Sequence, residues 1–483
     1  EMEEIYSKGN VIKSFLWKLL ERFSVQGLGL CITLVLARIL SPSDYGTVAI
    51  ITVFVNLANV IIDGGLNTAL IQKKDTDSLD YSTIFFSNIF LSIVLYALLY
   101  ATSPWIAEFY DTPPLADMIR ILGIILVFEA VNSIQRAYVS KMMLFRRLFY
   151  SSFFALLVSG SLGIYLALNG YGVWALISQQ MTCVLVTTII MWFTIKWRPM
   201  FAFSFERFKK LFDYGWKIFG LNFITTLYLN IRSLIIGKFY SPADLAFFER
   251  GHTLSGMVVQ NINTSLQTIL FPVLSNSQND KVRIKSLVRK STGMTCLLVF
   301  PALIGLISIA KPLVLLILTE KWLPAVAYIQ IYSIAYMLFP IQVANMEAIK
   351  AMGYSGMSLK LEIIKKVVET IILIVSVFMG VIAIAWGVVF FNFICLFINL
   401  YPSKKYLDYG VFEQVKDIIP TFMCAIMMGF SIYWIQYLPI HLLLVLMLQM
   451  IMGVLVFGLF CHLSQNESFL YVKSLITEKL KRK

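Results

Sequence analysis

The chain has 483 residues, of which 59% are hydrophobic and 14% charged, with a formal net charge of +13 at neutral pH. A soluble domain carries about 45–50% apolar and about 25% charged residues, so too little polar surface is present to clothe a soluble protein of this length. The positive balance does not single out a nucleic-acid partner, which needs basic residues gathered on one soluble face; here they are scattered among short connections.

The opening EMEEIYSKGN is acidic and lacks a basic stretch with a short apolar core and cleavage site, so no signal peptide is expected. Glu1 precedes Met2, which points to Met2 as the native start. Apolar runs then recur near the roughly 20 residues that a helix needs to cross about 30 Å of hydrocarbon. They predict an all-α polytopic membrane protein of about fourteen spans: 14–40, 44–63, 80–103, 115–138, 146–168, 172–195, 212–238, 245–271, 290–310, 325–350, 357–379, 382–401, 415–437 and 441–463. The breakers agree: SPSD at 41–44, TPP at 112–114, NGYG at 169–172, SPAD at 241–244 and Pro439. The six cysteines (Cys31, Cys183, Cys296, Cys395, Cys424, Cys461) sit inside apolar stretches without C-x-x-C spacing, so they read as small hydrophobes rather than as disulfide or zinc partners.

Orientation follows from lysine and arginine, which short cytoplasmic loops hold in excess. With the N-terminus inside and sides alternating, all but seven of the 40 basic residues fall on the inner side, Lys360, Lys365 and Lys366 among them. Arg38, Arg120, Lys238, Arg250, Lys311 and Lys321 fall outside, and Arg232 lies within the seventh span. A miscounted span would scramble this alternation, so fourteen spans with both termini cytoplasmic is the expected topology.

An internal repeat organises the spans. Arg38-Ile39-Leu40-Ser41-Pro42-Ser43-Asp44 is matched by Lys238-Phe239-Tyr240-Ser241-Pro242-Ala243-Asp244, and Trp17-Lys18 by Trp216-Lys217. Ser-Pro-x-Asp also suits the cap of the following helix. In register with the span count, the pair predicts two equivalent six-helix bundles in the same orientation, as in transporters with parallel repeats. The expected divisions are 1–205 (N-lobe, spans 1–6), 206–405 (C-lobe, spans 7–12) and 406–483 (spans 13 and 14 with a basic cytoplasmic tail).

Polar residues at helical spacing mark faces that cannot look at lipid. Span 2 carries Thr52, Asn56, Asn59 and Asp63, and span 4 carries Glu129, Asn132, Ser133 and Arg136. Span 7 has Asn222, Thr225, Thr226, Asn230 and Arg232, and span 8 has Glu249, His252, Gln260, Asn263, Thr264 and Gln267. The amides and hydroxyls also suit hydrogen bonds between helices. Ionisable groups in the membrane mark a pathway or a buried pair, which singles out Glu129, Arg232, Glu249 and Arg250. Arg232 and Glu249 also suit a structural ion pair, Arg22 suits snorkelling from the inner end of span 1, and His252 alone is a poor metal ligand.

The segments LARILSPSDYGTVAI, GGLNTALIQKKD, LFPVLSNSQND, EKWLPAV and AMGYSG resemble the Wzx-type oligosaccharide flippases, especially the colanic-acid and teichuronic-acid exporter branch, over essentially the whole chain. The resemblance implies a multidrug/oligosaccharidyl-lipid/polysaccharide exporter, a MATE-like bundle of two lobes around a central cavity. It implies a bacterial inner-membrane protein that moves an undecaprenyl-pyrophosphate-linked repeat unit to the outer leaflet. Membrane lipids and polysaccharide polymerase machinery are further implied partners. The implied headgroup contacts are Arg22, Arg232 and Arg250, with Asn56, Asn59, Gln260 and Asn263 lining the cavity. Glu129 and Glu249 are implied as coupling or ion-pair residues, and Glu249 beside Arg250 weakens the field there. No cofactor, metal or catalytic residue is expected. The alternative function is a multidrug or cation antiporter of the same superfamily; a polymerase-like membrane enzyme would need placed acid/base groups and a larger outer loop.

Overall fold

The computed structural model describes residues 8–73, 75–275, 280–471 and 473–474. In chain order the helices are α1 (Lys8–Ile39), α2 (Pro42–Asp63), α3 (Leu66–Gln72), α4 (Ser78–Phe109), α5 (Leu115–Gly123), α6 (Ile125–Lys141), α7 (Phe145–Leu168), α8 (Val173–Thr194) and α9 (Phe205–Phe239). They continue as α10 (Pro242–Ser275), α11 (Lys281–Ile317), α12 (Ala325–Tyr336), α13 (Phe339–Ala351), α14 (Ser355–Val377), α15 (Val381–Leu407), α16 (Val411–Tyr433) and α17 (Leu442–Leu463). There is no strand among the described residues. Lys74 and the tail at 475–483, both used in the loop-charge argument, lie outside the described residues, as does most of SNSQ within the LFPVLSNSQND segment.

Every predicted span falls on helix, with two corrections. The runs 115–138 and 325–350 are each two helices, parted at Ile124 and at Met337–Leu338. At the first break the Ile124 amide donates to the Ile121 carbonyl, a tighter i−3 bond beside Gly123. Pro340, which has no N–H, follows the second. Hydropathy runs unbroken through both, so no apolar pattern could reveal them. Eleven helical stretches among the described residues are long and apolar enough to cross a membrane. Missing from that set are 115–138, α10 and α14. Lys360, Lys365 and Lys366, counted to the inner side, lie within α14 as the 357–379 run has them, and Lys365 pairs with Glu362 and Lys366 with Glu369.

The repeat is visible in local geometry. Ser41 and Ser241 each cap their helix, accepting from the amides of Asp44 (3.2 Å) and Asp244 (3.1 Å), and Asp44 and Asp244 accept back from the serine amides. These reciprocal bonds satisfy amides that a helix start leaves open. After α6 and α13 the chain turns identically: Met143 and Gly353 take positive φ (54° and 86°), and the next amides, of Leu144 and Tyr354, donate to the carbonyls of Val139 (2.9 Å) and Ile349 (3.2 Å). The paired breaks at 124 and 337 complete the correspondence.

Two compact units result, Glu1–Ala246 and Phe247–Lys483. The expected lobe boundary after residue 205 lies inside the first, because α9 packs along α2 through small residues. A Cβ on Gly65 would sit 2.3 Å from the Gly215 carbonyl oxygen, and one on Gly237 would sit 2.8 Å from Ile50. The first unit has an apolar core around Leu70, Ile84, Phe85, Ile134 and Trp197, and the second around Leu274, Ile284, Ala344, Ala348 and Leu407.

The repeat also places two buried amides in each unit, with opposite outcomes. In the second, Asn345 and Gln414 exchange side-chain hydrogen bonds of 2.8 and 3.0 Å, and Asn399 donates to Gln342 at 3.2 Å. In the first, Asn132 and Gln135 are fully buried, and none of their side-chain polar atoms has a hydrogen-bond partner among the described residues. Removing one partner of a buried pair costs more than replacing a group already unpaired. Asn345→Leu is therefore expected to destabilise by about 1–3 kcal/mol through the stranded Oε1 of Gln414, whose Nε2 keeps its bond to the Tyr409 carbonyl, and Asn132→Leu to leave thermal unfolding unchanged or raise it. Equal losses in both variants would refute this difference.

Candidate functional site

A cavity of about 460 Å³ in the first unit is built by α2, α3, α6 and α9. From α2 come Asn59 and Asp63, one turn apart. From α6 come Glu129, Ser133, Arg136 and Ser140, whose spacings of four, three and four align them on one face. Asn67 on α3 and Asn222 on α9 close the ring. Gly64 and Gly65, at φ 50° and 70°, reverse the chain between α2 and α3. That left-handed turn favours glycine, and it returns Asn67 over the end of α2.

Glu129 and Arg136 form an ion pair within α6, two turns apart, with side chains 22% and 43% exposed. Ser133 between them accepts from the Asn88 amide nitrogen of α4 at 3.1 Å. Oδ1 of Asp63 and Oδ1 of Asn67 are buried and accept no hydrogen bond among the described residues. One guanidinium thus faces two carboxylates, so the lining is net acidic, with amides and hydroxyls as uncharged donors and acceptors. At the start of α4, Lys73 donates to the fully buried Asp80 at 2.6 Å, and Arg207 bonds both Asp77 and Asp80. The Arg207 guanidinium beside Asp77 holds that carboxyl below the usual carboxylate range. Lys141 donates to the Leu70 carbonyl at 3.3 Å, fastening α3 to the end of α6.

Of the residues expected from the sequence, the cavity brings together Asn59 and Glu129. Asn56 is exposed on α2, Arg22 is half-buried on α1, and Arg232 is half-buried on α9; none lines this cavity. Glu249, Arg250, Gln260 and Asn263 lie on α10 in the second unit. The Arg250 guanidinium sits over the Trp322 ring at 5.2 Å, and His252 packs edge-on against Tyr332 and Tyr336. The side chains of Thr264 and Gln267 lie outside the described residues. Asp63, Ser133, Arg136 and Asn222 were legible as polar stripes but not as site residues. Asn67 carried no periodic signal, because α3 has only seven residues.

A family model described as polysaccharide biosynthesis protein matches residues 35–327. The chain belongs to the polysaccharide biosynthesis protein family. This family member is 27% identical over 306 residues to the teichuronic acid biosynthesis protein TuaB of Bacillus subtilis (strain 168). The match covers 62% of this chain and 63% of that one, so a little under two thirds of the relative's length is spanned. Its fold is that of the solved lipid II flippase MurJ in an inward closed conformation, with a TM-score of 0.74, 17% identity, and coverage of 96% of this chain and 100% of that one. It also resembles the inward-facing multidrug resistance MATE family transporter of the MOP superfamily, with a TM-score of 0.59, 13% identity, and coverage of 79% and 94%. This member of the polysaccharide biosynthesis family is therefore an all-α, multi-pass membrane protein with the fold of that superfamily.

Proposed function

We propose that the protein is a flippase that moves an undecaprenyl-diphosphate-linked oligosaccharide from the cytoplasmic to the outer leaflet of the bacterial inner membrane, and is not an enzyme. The observation that carries this reading is a polar, charge-bearing cavity inside an apolar bundle, in a chain of the polysaccharide biosynthesis family. A sugar-diphosphate headgroup cannot shed its hydration into hydrocarbon, and a lining of amides and hydroxyls substitutes for that water. The prenyl tail can remain in lipid, so only the headgroup needs the protein. Loop charges support cytoplasmic termini. The repeat supports alternating access, with the division into an N-lobe, a C-lobe and two added helices kept as part of the proposal. Arginine's fork matches a pair of phosphate oxygens, which keeps Arg22, Arg232 and Arg250 as proposed headgroup contacts beside Asn56, Asn59, Gln260 and Asn263, with Glu249 moderating Arg250. Polymerase machinery is the proposed downstream partner.

In proteoliposomes carrying a fluorescent polyprenyl-diphosphate disaccharide, the wild-type protein is expected to expose the probe to an external quencher. Arg232→Ala and Arg250→Ala are expected to slow that exposure at equal protein level. Wild-type rates in both variants would remove these arginines from the site, and no transport by the wild type would remove the function. The two carboxylates set against one arginine favour a second reading, a cation-coupled antiporter of the same superfamily. That reading expects a cation gradient to drive efflux of a small organic cation while the diphosphate probe stays in place.

A further inference from the structure

Residues 286–294 of α11, 416–420 of α16 and 464–471 after α17 enclose a cavity of about 670 Å³ in the second unit. It lies on the side that the basic loops assign to the cytoplasm. Three cations line it, Arg289, Lys290 and Lys416, against Asp417 and Glu467. Asp417 is already engaged, accepting from Arg289 and from the Tyr409 hydroxyl at 2.7 Å. Lys290 lies over the Tyr471 ring at 5.8 Å, and neither Lys290 nor Lys416 has a carboxylate partner among the described residues. Hydroxyls of Ser286 and Ser468 stand on the same walls.

Apolar surface lies close by in the chain: Ile419 and Leu463, next to the lining residues Pro420 and Ser464, are both exposed large hydrophobics. A soluble anion has no use for such flanks, whereas a lipid places its phosphate among cations and its acyl chains along apolar helix faces. Basic recesses between helices on the cytoplasmic side take anionic lipid headgroups for this reason. We propose that this cavity binds the phosphate headgroup of an anionic phospholipid of the cytoplasmic leaflet, held by Lys290 and Lys416. The site uses the orientation argued above but not the cargo, so the lipid site and the flippase reading fail independently.

Native mass spectrometry of the full-length protein with added phosphatidylglycerol or phosphatidylcholine tests this. Each lysine at an anionic surface is worth roughly a fivefold change in affinity, so K290Q/K416Q is expected to retain phosphatidylglycerol about 25-fold less than the wild type. Phosphatidylcholine retention should be low and unchanged. K281Q/R283Q removes two charges from exposed positions on the first turn of α11 outside the cavity and is expected to match the wild type. Three results would overturn the proposal: undiminished phosphatidylglycerol retention by K290Q/K416Q, an equal loss in K281Q/R283Q, or displacement of the lipid by excess inorganic phosphate, which would mark a free-anion site.

Discussion

Gly46→Ala is expected to be among the most damaging single-methyl changes in the protein. A Cβ at Gly46 would lie 1.6 Å from the Pro242 carbonyl oxygen, 2.3 Å from its carbonyl carbon and 2.8 Å from its Cα. All three obstacles are backbone, so no rotamer change can relieve them. The segment they belong to is held in place by the Ser241–Asp244 cap. To admit the methyl, the start of α10 must move off α2, and overpacking of a rigid site costs about 1–3 kcal/mol and sometimes more. We expect the upper end of that range, read as a fall of several degrees in thermal unfolding in detergent and a loss of folded protein in the membrane. Gly27 and Gly29 on α1 supply the internal control, since a Cβ there meets nothing within 4 Å. Replacing glycine by alanine in a helix with free space gains roughly 0.5–1 kcal/mol, so Gly27→Ala should unfold at or above the wild-type temperature. Gly46→Ala unfolding alongside Gly27→Ala would disprove the close approach of α2 to Pro242.

That contact also shows what the sequence could and could not convey. Hydropathy placed each predicted run on helix, because it is a property of each segment alone, and eleven helical stretches among the described residues are long and apolar enough to cross a membrane. The Ser-Pro-x-Asp pair announced the repeat for the same reason: a capping box is a local structure that four residues specify. The breaks at Ile124 and Met337–Leu338 were hidden because the apolar run continues through them. The site was half legible. Asn59 and Glu129 stood out as polar groups at helical spacing inside the membrane, and Arg136 was counted for topology because it lies near a helix end. Whether it snorkels outward or turns back to Glu129 depends on tertiary surroundings that no single-segment pattern encodes. Asn67 depends on a glycine turn folding a seven-residue helix back over the site. Arg250, promising as an intramembrane charge, is stacked on Trp322, a ring that lies 72 residues further along the chain.

The second large effect is expected at Glu129 and Arg136, where stability and transport should separate. Arg136→Gln leaves the Glu129 carboxylate, 22% exposed, without its guanidinium. An exposed pair is worth up to about 1 kcal/mol, while stranding one charge of a fully buried pair costs about 3–5 kcal/mol. With Arg136 itself 43% exposed, a loss of about 2 kcal/mol is the intermediate expectation. Glu129→Gln should destabilise less, because the freed guanidinium can reach water. The double variant Glu129→Gln/Arg136→Gln removes both charges of the pair and leaves two amides that can bond each other, while Asp63 loses the guanidinium it faces, so its thermal unfolding should recover part of the way from Arg136→Gln to wild type. If the pair serves only to hold α6 in shape, transport returns with it. If the charges meet the diphosphate headgroup or a coupling cation, all three variants should translocate at least about tenfold more slowly, equivalent to some 1.4 kcal/mol on the barrier. We expect the second pattern, because the pair lies in a cavity where Asp63 and Asn67 each hold a buried oxygen that accepts no hydrogen bond among the described residues. A double variant that recovers both unfolding temperature and flipping rate would reduce Glu129 and Arg136 to scaffold, and the transported headgroup would then have to be sought on other residues.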